Sequence, residues 1–271
     1  MLRQRVLVTL VLLPVGLVLI FLGGYPFLAF IALVLGLAAW EYVKLFKAGG
    51  FEPSGLLAVI GTVGITLGRG LDGFASADWI VGFCVLASML FHMIAYERGR
   101  NQAGTDFAIT VSAVLYVGWI GAYLVSLRDL PNGEWWFMTA MPSIWAADSG
   151  AYFIGRQFGR RKLSPRLSPK KTWEGYLAGI VTGVLIGALF AYFWSLRVPE
   201  VGITPLRGAI LGLVMSVFTT LGDLGESMIK RQVGVKDSSN LLPGHGGAFD
   251  RIDSWIWGGI LSYYVILWFF I

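Results

Sequence analysis

Ten residues in the last quarter of the chain, GDLGESMIKR from Gly222, set Asp223, Ser227 and Lys230 four and then three positions apart. On an α-helix those offsets share one face, so a carboxylate, a hydroxyl and an ammonium line a single stripe, flanked by Glu226 and Arg231. After the connection VGVKDSSNLLPGHGGAFDRID, Asp250 and Asp253 stand three apart where the last helix should begin, so they too share a face. Three carboxylates carried by two helix ends can converge on a hard divalent cation, which prefers carboxylate and water oxygens. With two histidines and one cysteine in the chain, a zinc set of the His and Cys type is excluded. Between the acidic helices, Pro243, Gly244, His245, Gly246 and Gly247 form a tight turn whose backbone N–H groups can face an anion, although it is neither a Walker loop nor a dinucleotide fingerprint.

A second group of residues precedes these. The connection RQFGRRKLSPRLSPKKTWE, residues 156–174, holds seven basic residues and no acid before Glu174. Topogenic charge, and attraction to anionic lipid at about 1 kcal/mol per basic residue, account for the number of charges. They do not account for the order Ser168, Pro169, Lys170, Lys171, Thr172, with Trp173, Glu174 and Gly175 following at once. A rigid Pro turn, paired lysines and a hydroxyl beside a helix N-terminus suit a polyphosphate. Asp148 lies inside an apolar segment and reads as a carboxylate lining a polar cavity, with a hydrogen bond to Ser149 as the structural alternative. Glu41, His92 and Asp106 sit near the ends of apolar segments, where snorkelling or helix capping is the expected role.

The elements that must carry these groups follow from composition. Of the 271 residues, 56% are hydrophobic and 14% charged, where an ordinary soluble domain has roughly 25% charged. This excludes a water-soluble globule, a disulfide scaffold and a disordered tail. The expectation is an all-α integral membrane protein of about nine transmembrane helices, near 6–22, 25–46, 55–70, 78–96, 105–127, 134–155, 175–196, 205–229 and 254–271. The third is the weakest, because Gly55, Gly61, Gly64 and Gly68 lower its helix propensity. The first is too long for a signal-peptide core and reads as an uncleaved span. Counting basic residues between spans puts 17 of 21 on one side, with Arg69, Arg128, Arg197 and Arg207 on the other, so the N-terminus is expected in the cytoplasm and the C-terminus opposite. The division expected is N-terminal transmembrane helices over 1–130 and a catalytic transmembrane region over 131–271, with cytoplasmic loops at 156–174 and 230–253. The net charge of +5 then belongs to the loops and implies no nucleic-acid partner, while Cys84, alone in an apolar run, is expected to pack rather than react.

Residues 227–253, SMIKRQVGVKDSSNLLPGHGGAFDRID, resemble the signature of the phosphatidate cytidylyltransferases, or CDP-diacylglycerol synthases. The likeness runs through Ser227, Lys230, Arg231, Lys236, Asp237, Pro243, His245, Gly246, Gly247, Asp250, Arg251 and Asp253, and upstream through DSGAYFIGRQFGR from Asp148 and SPKKTWEG from Ser168. It covers roughly the C-terminal half, and Ala248 departs from it, standing where the family usually carries a larger aliphatic residue. The resemblance implies a membrane enzyme, dimeric in the family, that makes CDP-diacylglycerol and pyrophosphate from CTP and phosphatidic acid with Mg2+. It also implies a mixed Mg2+ and K+ centre held by Asp223, Asp250 and Asp253. Lys170, Lys171, Lys230, Arg231 and Lys236 are then expected on phosphates, with Ser168, Thr172 and Asp237 beside them. His245, Gly246 and Gly247 would shape the triphosphate pocket, and Asp148 would support or supplement the metal ligands. The bacterial cytoplasmic membrane, with the active site facing the cytoplasm, is the expected location. An ion-coupled transporter and a transferase acting on another lipid phosphate are the competing readings, separable by CTP consumption and by competition among lipid phosphates.

Overall fold

The computed structural model describes residues 2–235, 237–239 and 246–271, with side chains described at residue 10 and from residue 13 onward. Its helices are α1 (Leu2–Leu22), α2 (Gly24–Ala48), α3 (Gly55–Asp72), α4 (Ala77–Glu97), α5 (Ala103–Ala113), α6 (Tyr123–Asp129), α7 (Gly133–Phe158), α8 (Trp173–Arg197), α9 (Pro205–Gln232) and α10 (Phe249–Phe269). A π-helical segment, Val114–Ile120, links α5 to α6, and two short antiparallel strands, β1 (Lys162–Ser164) and β2 (Ser168–Thr172), precede α8. Among the described residues six helical stretches are long and apolar enough to cross a membrane: α2, α3, α4, the run Ala103–Asp129, α8 and α9. The chain is an integral membrane protein of α-helical class. Helices α7 and α10 also occupy expected intervals but are less apolar, each carrying three Trp together with Asp148 in α7 and Asp250 and Asp253 in α10.

Two compact units divide the chain; the basic stretch 156–174 lies in the second, and the acidic stretch from Gly222 contributes residues to both. The first comprises residues 1–126 with 229–256. At its centre α2 buries Leu35, Ala38 and Ala39 completely. The glycines that weaken α3 as an isolated helix let its neighbours approach: a Cβ on Gly61 would lie 2.9 Å from both Cys84 Sγ and Val114 Cγ2. Cys84 packs there against the cluster of Ile65, Val114 and Ala122, in keeping with its apolar surroundings in the sequence. Ser54 caps α3, its Oγ accepting from Leu57 N at 3.4 Å. Arg69, 3% exposed, keeps its charge inside this apolar unit by lying 3.8 Å from the Phe74 ring centroid and 4.7 Å from that of Tyr123, and it donates to Ser126 Oγ at 3.1 Å.

Two of the three ionisable groups near apolar segment ends serve structure within this unit. Asp106, fully buried, accepts from Glu52 N at 2.7 Å and from Arg100 Nε at 2.7 Å, fastening the connection before α3 to the start of α5. His92 is held through Nδ1 against Ser88 O at 2.8 Å, with Thr110 Oγ1 3.4 Å from Nε2.

The second unit comprises residues 127–228 with 257–271. Its helices α7, α8 and α9 meet along glycines spaced four apart: Gly175, Gly179, Gly183 and Gly187 of α8 are all buried. A Cβ on Gly175 would lie 2.6 Å from Ala151 O and one on Gly179 2.7 Å from Ala147 O, so α7 packs backbone to backbone on this stripe. Gly208 and Gly212 of α9 meet Gly187 and Gly183 in the same way, the small-residue packing by which helices associate without a hydrophobic driving force.

Candidate active site

The basic connection between α7 and α8 is a hairpin rather than an irregular loop. Glu174, in the first turn of α8, reaches back to accept from Arg160 N at 3.0 Å and Arg161 N at 3.2 Å, and Thr172 caps the helix by accepting from Gly175 N at 3.2 Å. Because successive side chains of a strand point to opposite faces, β2 separates the adjacent lysines. Lys170 is exposed, whereas Lys171 is half-buried and its Nζ lies 2.5 Å from Asp223 Oδ2 on α9. The two lysines, adjacent in the chain, therefore differ in exposure and surroundings. Ser168 is half-buried and Thr172 is buried in its capping role.

On α9 the expected face is present. Ser227 Oγ lies 3.4 Å from Asp223 Oδ1, and Asp223 and Glu226 bring carboxylate oxygens within 4.8 Å of each other. Two carboxylates one turn apart are hard oxygen donors at a spacing that suits a divalent cation, so the donor chemistry of this unit fits one. Glu226 is buried, while Asp223 is only half-buried and stays accessible to a ligand. Asp148 on α7 is exposed.

Asp250, in the first turn of α10, accepts hydrogen bonds from several directions. Its Oδ1 accepts from Lys230 Nζ at 2.8 Å; its Oδ2 accepts from Ser238 N at 3.0 Å, Ser238 Oγ at 2.8 Å and Gly247 N at 2.7 Å. Charge-assisted bonds from several directions fix the carboxylate's plane. Lys230 therefore faces Asp250 in this structure, and a cation at Asp250 has to compete with it. Gly246 has φ +80°, a conformation open to glycine, and a Cβ there would run into the Asp250 carboxylate. Asp253 is buried, with Oδ1 accepting from Ser254 N at 2.6 Å. Arg231 and Asp237 are exposed, Arg231 donating to Val235 O at 3.4 Å. Lys236, Pro243, Gly244 and His245 lie outside the described residues.

Sequence reasoning misses three residues at this site. Ser238 and Ser239 directly follow Asp237, and hydroxyls inside a run of charged and glycine residues are the available signal. Glu41 reads from the sequence as a structural residue at the end of its helix. It is 2% exposed and accepts from Ser238 Oγ at 3.0 Å, Ser239 Oγ at 2.6 Å and Phe249 N at 2.8 Å.

Residues 3–269 match the Cytidylyltransferase family, and the chain belongs to that family. The match extends well beyond the C-terminal half in which the resemblance is legible. Among similar proteins, the phosphatidate cytidylyltransferase of Pseudomonas aeruginosa is 39% identical, with 99% of this chain and 97% of the relative aligned. The phosphatidate cytidylyltransferase of Synechocystis sp. is 35% identical over 97% of this chain and 96% of its own length, and that of Bacillus subtilis is 31% identical over 97% of each.

Proposed function

We propose that this chain transfers CMP from CTP to phosphatidic acid, giving CDP-diacylglycerol and pyrophosphate, as a nucleotidyltransferase of phospholipid biosynthesis. The observation that carries the reading is the pairing of acids with lysines, Lys171 with Asp223 and Lys230 with Asp250. A substrate with a polyphosphate and a metal ion divides such pairs naturally, the ammonium going to phosphate and the carboxylate to metal. Family membership over nearly the whole chain supports the substrate class.

A phosphate oxygen of phosphatidic acid attacks the α-phosphorus of CTP; the bond to the β-phosphate oxygen breaks and pyrophosphate leaves. The nucleophile is already anionic, because a phosphate monoester has a second pKa near 6, so no strong general base is required. The obstacle is repulsion between two anions, and catalysis rests on positioning and charge neutralisation. Asp223, Asp250 and Asp253 would hold Mg2+, with K+ as a second cation; bound there, the metal neutralises phosphate charge. Lys170, Lys171, Lys230, Arg231 and Lys236 would contact phosphates, Ser168, Thr172 and Asp237 would border them, and His245, Gly246 and Gly247 would shape the triphosphate pocket. The lipid would reach the site sideways from the membrane, so its acyl chains stay in the bilayer. The same reading has nine spans with the N-terminus in the cytoplasm, a homodimer in the cytoplasmic membrane, and an active site facing the cytoplasm.

The test is pyrophosphate release by purified, detergent-solubilised protein given CTP, with and without phosphatidic acid, in Mg2+ or EDTA. Release is expected only with CTP, lipid and Mg2+ together. No release from folded, lipid-supplemented protein, or release indifferent to phosphatidic acid, would overturn the assignment.

A further inference from the structure

Glu41 lies in α2, roughly 200 positions before the segment it contacts, and its carboxylate is directed entirely at that segment. Oε2 accepts from the first backbone N–H of α10, that of Phe249, at 2.8 Å and from Ser238 Oγ at 3.0 Å; Oε1 accepts from Ser239 Oγ at 2.6 Å. The first N–H groups of a helix have no partner within it, and a carboxylate placed there satisfies one and opposes the positive end of the helix dipole. Here that carboxylate comes from another helix. Phe249 itself is fully buried, edge-on to Tyr42 at 5.6 Å between ring centroids, so the helix start is gripped at backbone and side chain by consecutive residues of α2.

The consequence falls on Asp250. Ser238 Oγ lies 2.8 Å from Asp250 Oδ2 and 3.0 Å from Glu41 Oε2, and its single hydrogen serves one of the two at a time. Gly247, whose N–H donates to Asp250, leaves no room for a Cβ: one would overlap Glu41 Oε2 and Ser238 Oγ together. Among the described residues, the two backbone groups that donate to the Asp250 carboxylate, those of Ser238 and Gly247, are thus one step from Glu41. We propose that Glu41 is a positioning residue for the reaction, a carboxylate in α2 that presets Asp250 by clamping Ser238, Ser239 and Phe249. This rests on the reading above only in taking Asp250 as a metal ligand.

The experiment uses full-length Glu41→Ala and Glu41→Gln in detergent, read by hydrogen exchange without CTP or metal and by the Mg2+ dependence of CMP transfer. Glu41→Ala is expected to speed exchange at residues 247–250 while α3 to α5 keep wild-type protection. It should raise the Mg2+ concentration for half-maximal rate severalfold, less than the roughly 10- to 100-fold cost of removing a residue bonded directly to a ligand, because Glu41 reaches Asp250 through Ser238. Glu41→Gln keeps one oxygen for the Phe249 N–H and should fall between alanine and wild type in both readouts, which also covers failure of the alanine variant to fold. Unchanged exchange at 247–250 in Glu41→Ala overturns the proposal, as does acceleration spread evenly through α2 to α5, which marks a general packing residue. Local acceleration with an unchanged Mg2+ response overturns the link to the reaction. Asp250→Asn, run alongside, separates the failures: if it too leaves Mg2+ dependence unchanged, the metal assignment has failed, and exchange alone decides whether Glu41 holds the segment.

Discussion

Lys171 Nζ lies 2.5 Å from Asp223 Oδ2, tying the last strand of the basic hairpin to the acidic turn of α9. The pair is only partly shielded, with 26% and 35% of the two side chains exposed, so its worth to folding is small. On the proposed reading it is a functional contact first and a structural one second.

That ranking predicts a separation of effects. Lys171→Ala should cost less than about 1 kcal/mol of stability, the range of exposed ion pairs, while raising the CTP concentration for half-maximal rate severalfold. Lys170→Ala, on the opposite face of β2, should change that requirement less. Thermal unfolding in detergent beside CTP titrations of pyrophosphate release checks both. Equal effects from the two lysines would return the hairpin to a diffuse basic surface.

Asp250 should behave differently, because it is enclosed. Its side chain is 6% exposed and that of Lys230 12%, so replacing Asp250 with Ala takes one acceptor away from the Lys230 ammonium and from two backbone N–H groups. Breaking such a pair by removing one partner costs on the order of 3 kcal/mol or more. Asp250→Asn keeps one acceptor oxygen and should insert and fold, yet lose turnover. Turnover like that of the wild type in a folded Asp250→Asn protein would remove Asp250 from the metal site.

The helices are legible in the sequence because lipid-facing segments must be long and apolar, and each expected interval has a helix over it. The π segment at Val114–Ile120 is not, since it interrupts no apolar run; Gly118, where a Cβ would lie 2.9 Å from Thr62 Cα, marks its close approach to α3 only once the fold is known. The hairpin is hidden by short strands of 3 and 5 residues with Pro165 and Pro169 in or beside them. With the strand concealed, the difference in exposure between Lys170 and Lys171 is concealed too. At the candidate site, spacing reveals Asp223 with Ser227 and the acids of α10, because helical neighbours are local. Glu41 escapes for the opposite reason: its partners are far away in sequence, and no periodicity records them.

The glycines of α8 and α9 give a stability prediction independent of catalysis. Gly179→Val would press a branched side chain against Ala147 O, 2.7 Å from where its Cβ must go, and against the Ala151 methyl group. Backbone cannot yield as a flexible side chain can, so the loss should lie at about the upper end of the 1–3 kcal/mol typical of overpacking. A lowered unfolding temperature in detergent is the readout, and an unchanged one would mean that α7 and α8 do not pack on this stripe.

A sharper comparison sits at the turn before α10. A Cβ on Gly247 would overlap both Glu41 Oε2 and Ser238 Oγ, the two groups that hold Phe249 and Asp250, so Gly247→Ala must displace one of them. Gly225, inside α9, has nothing within 4 Å of the place its Cβ would take, and alanine there removes only the glycine's freedom in the unfolded chain. Gly225→Ala is therefore expected to leave turnover intact and to stabilise by about 0.4–1 kcal/mol, whereas Gly247→Ala should cut turnover at least about tenfold. Paired measurements of unfolding temperature and pyrophosphate release decide it. If Gly247→Ala keeps full activity, the turn is not held as tightly as its contacts require, and Asp250 does not depend on the position of its neighbours.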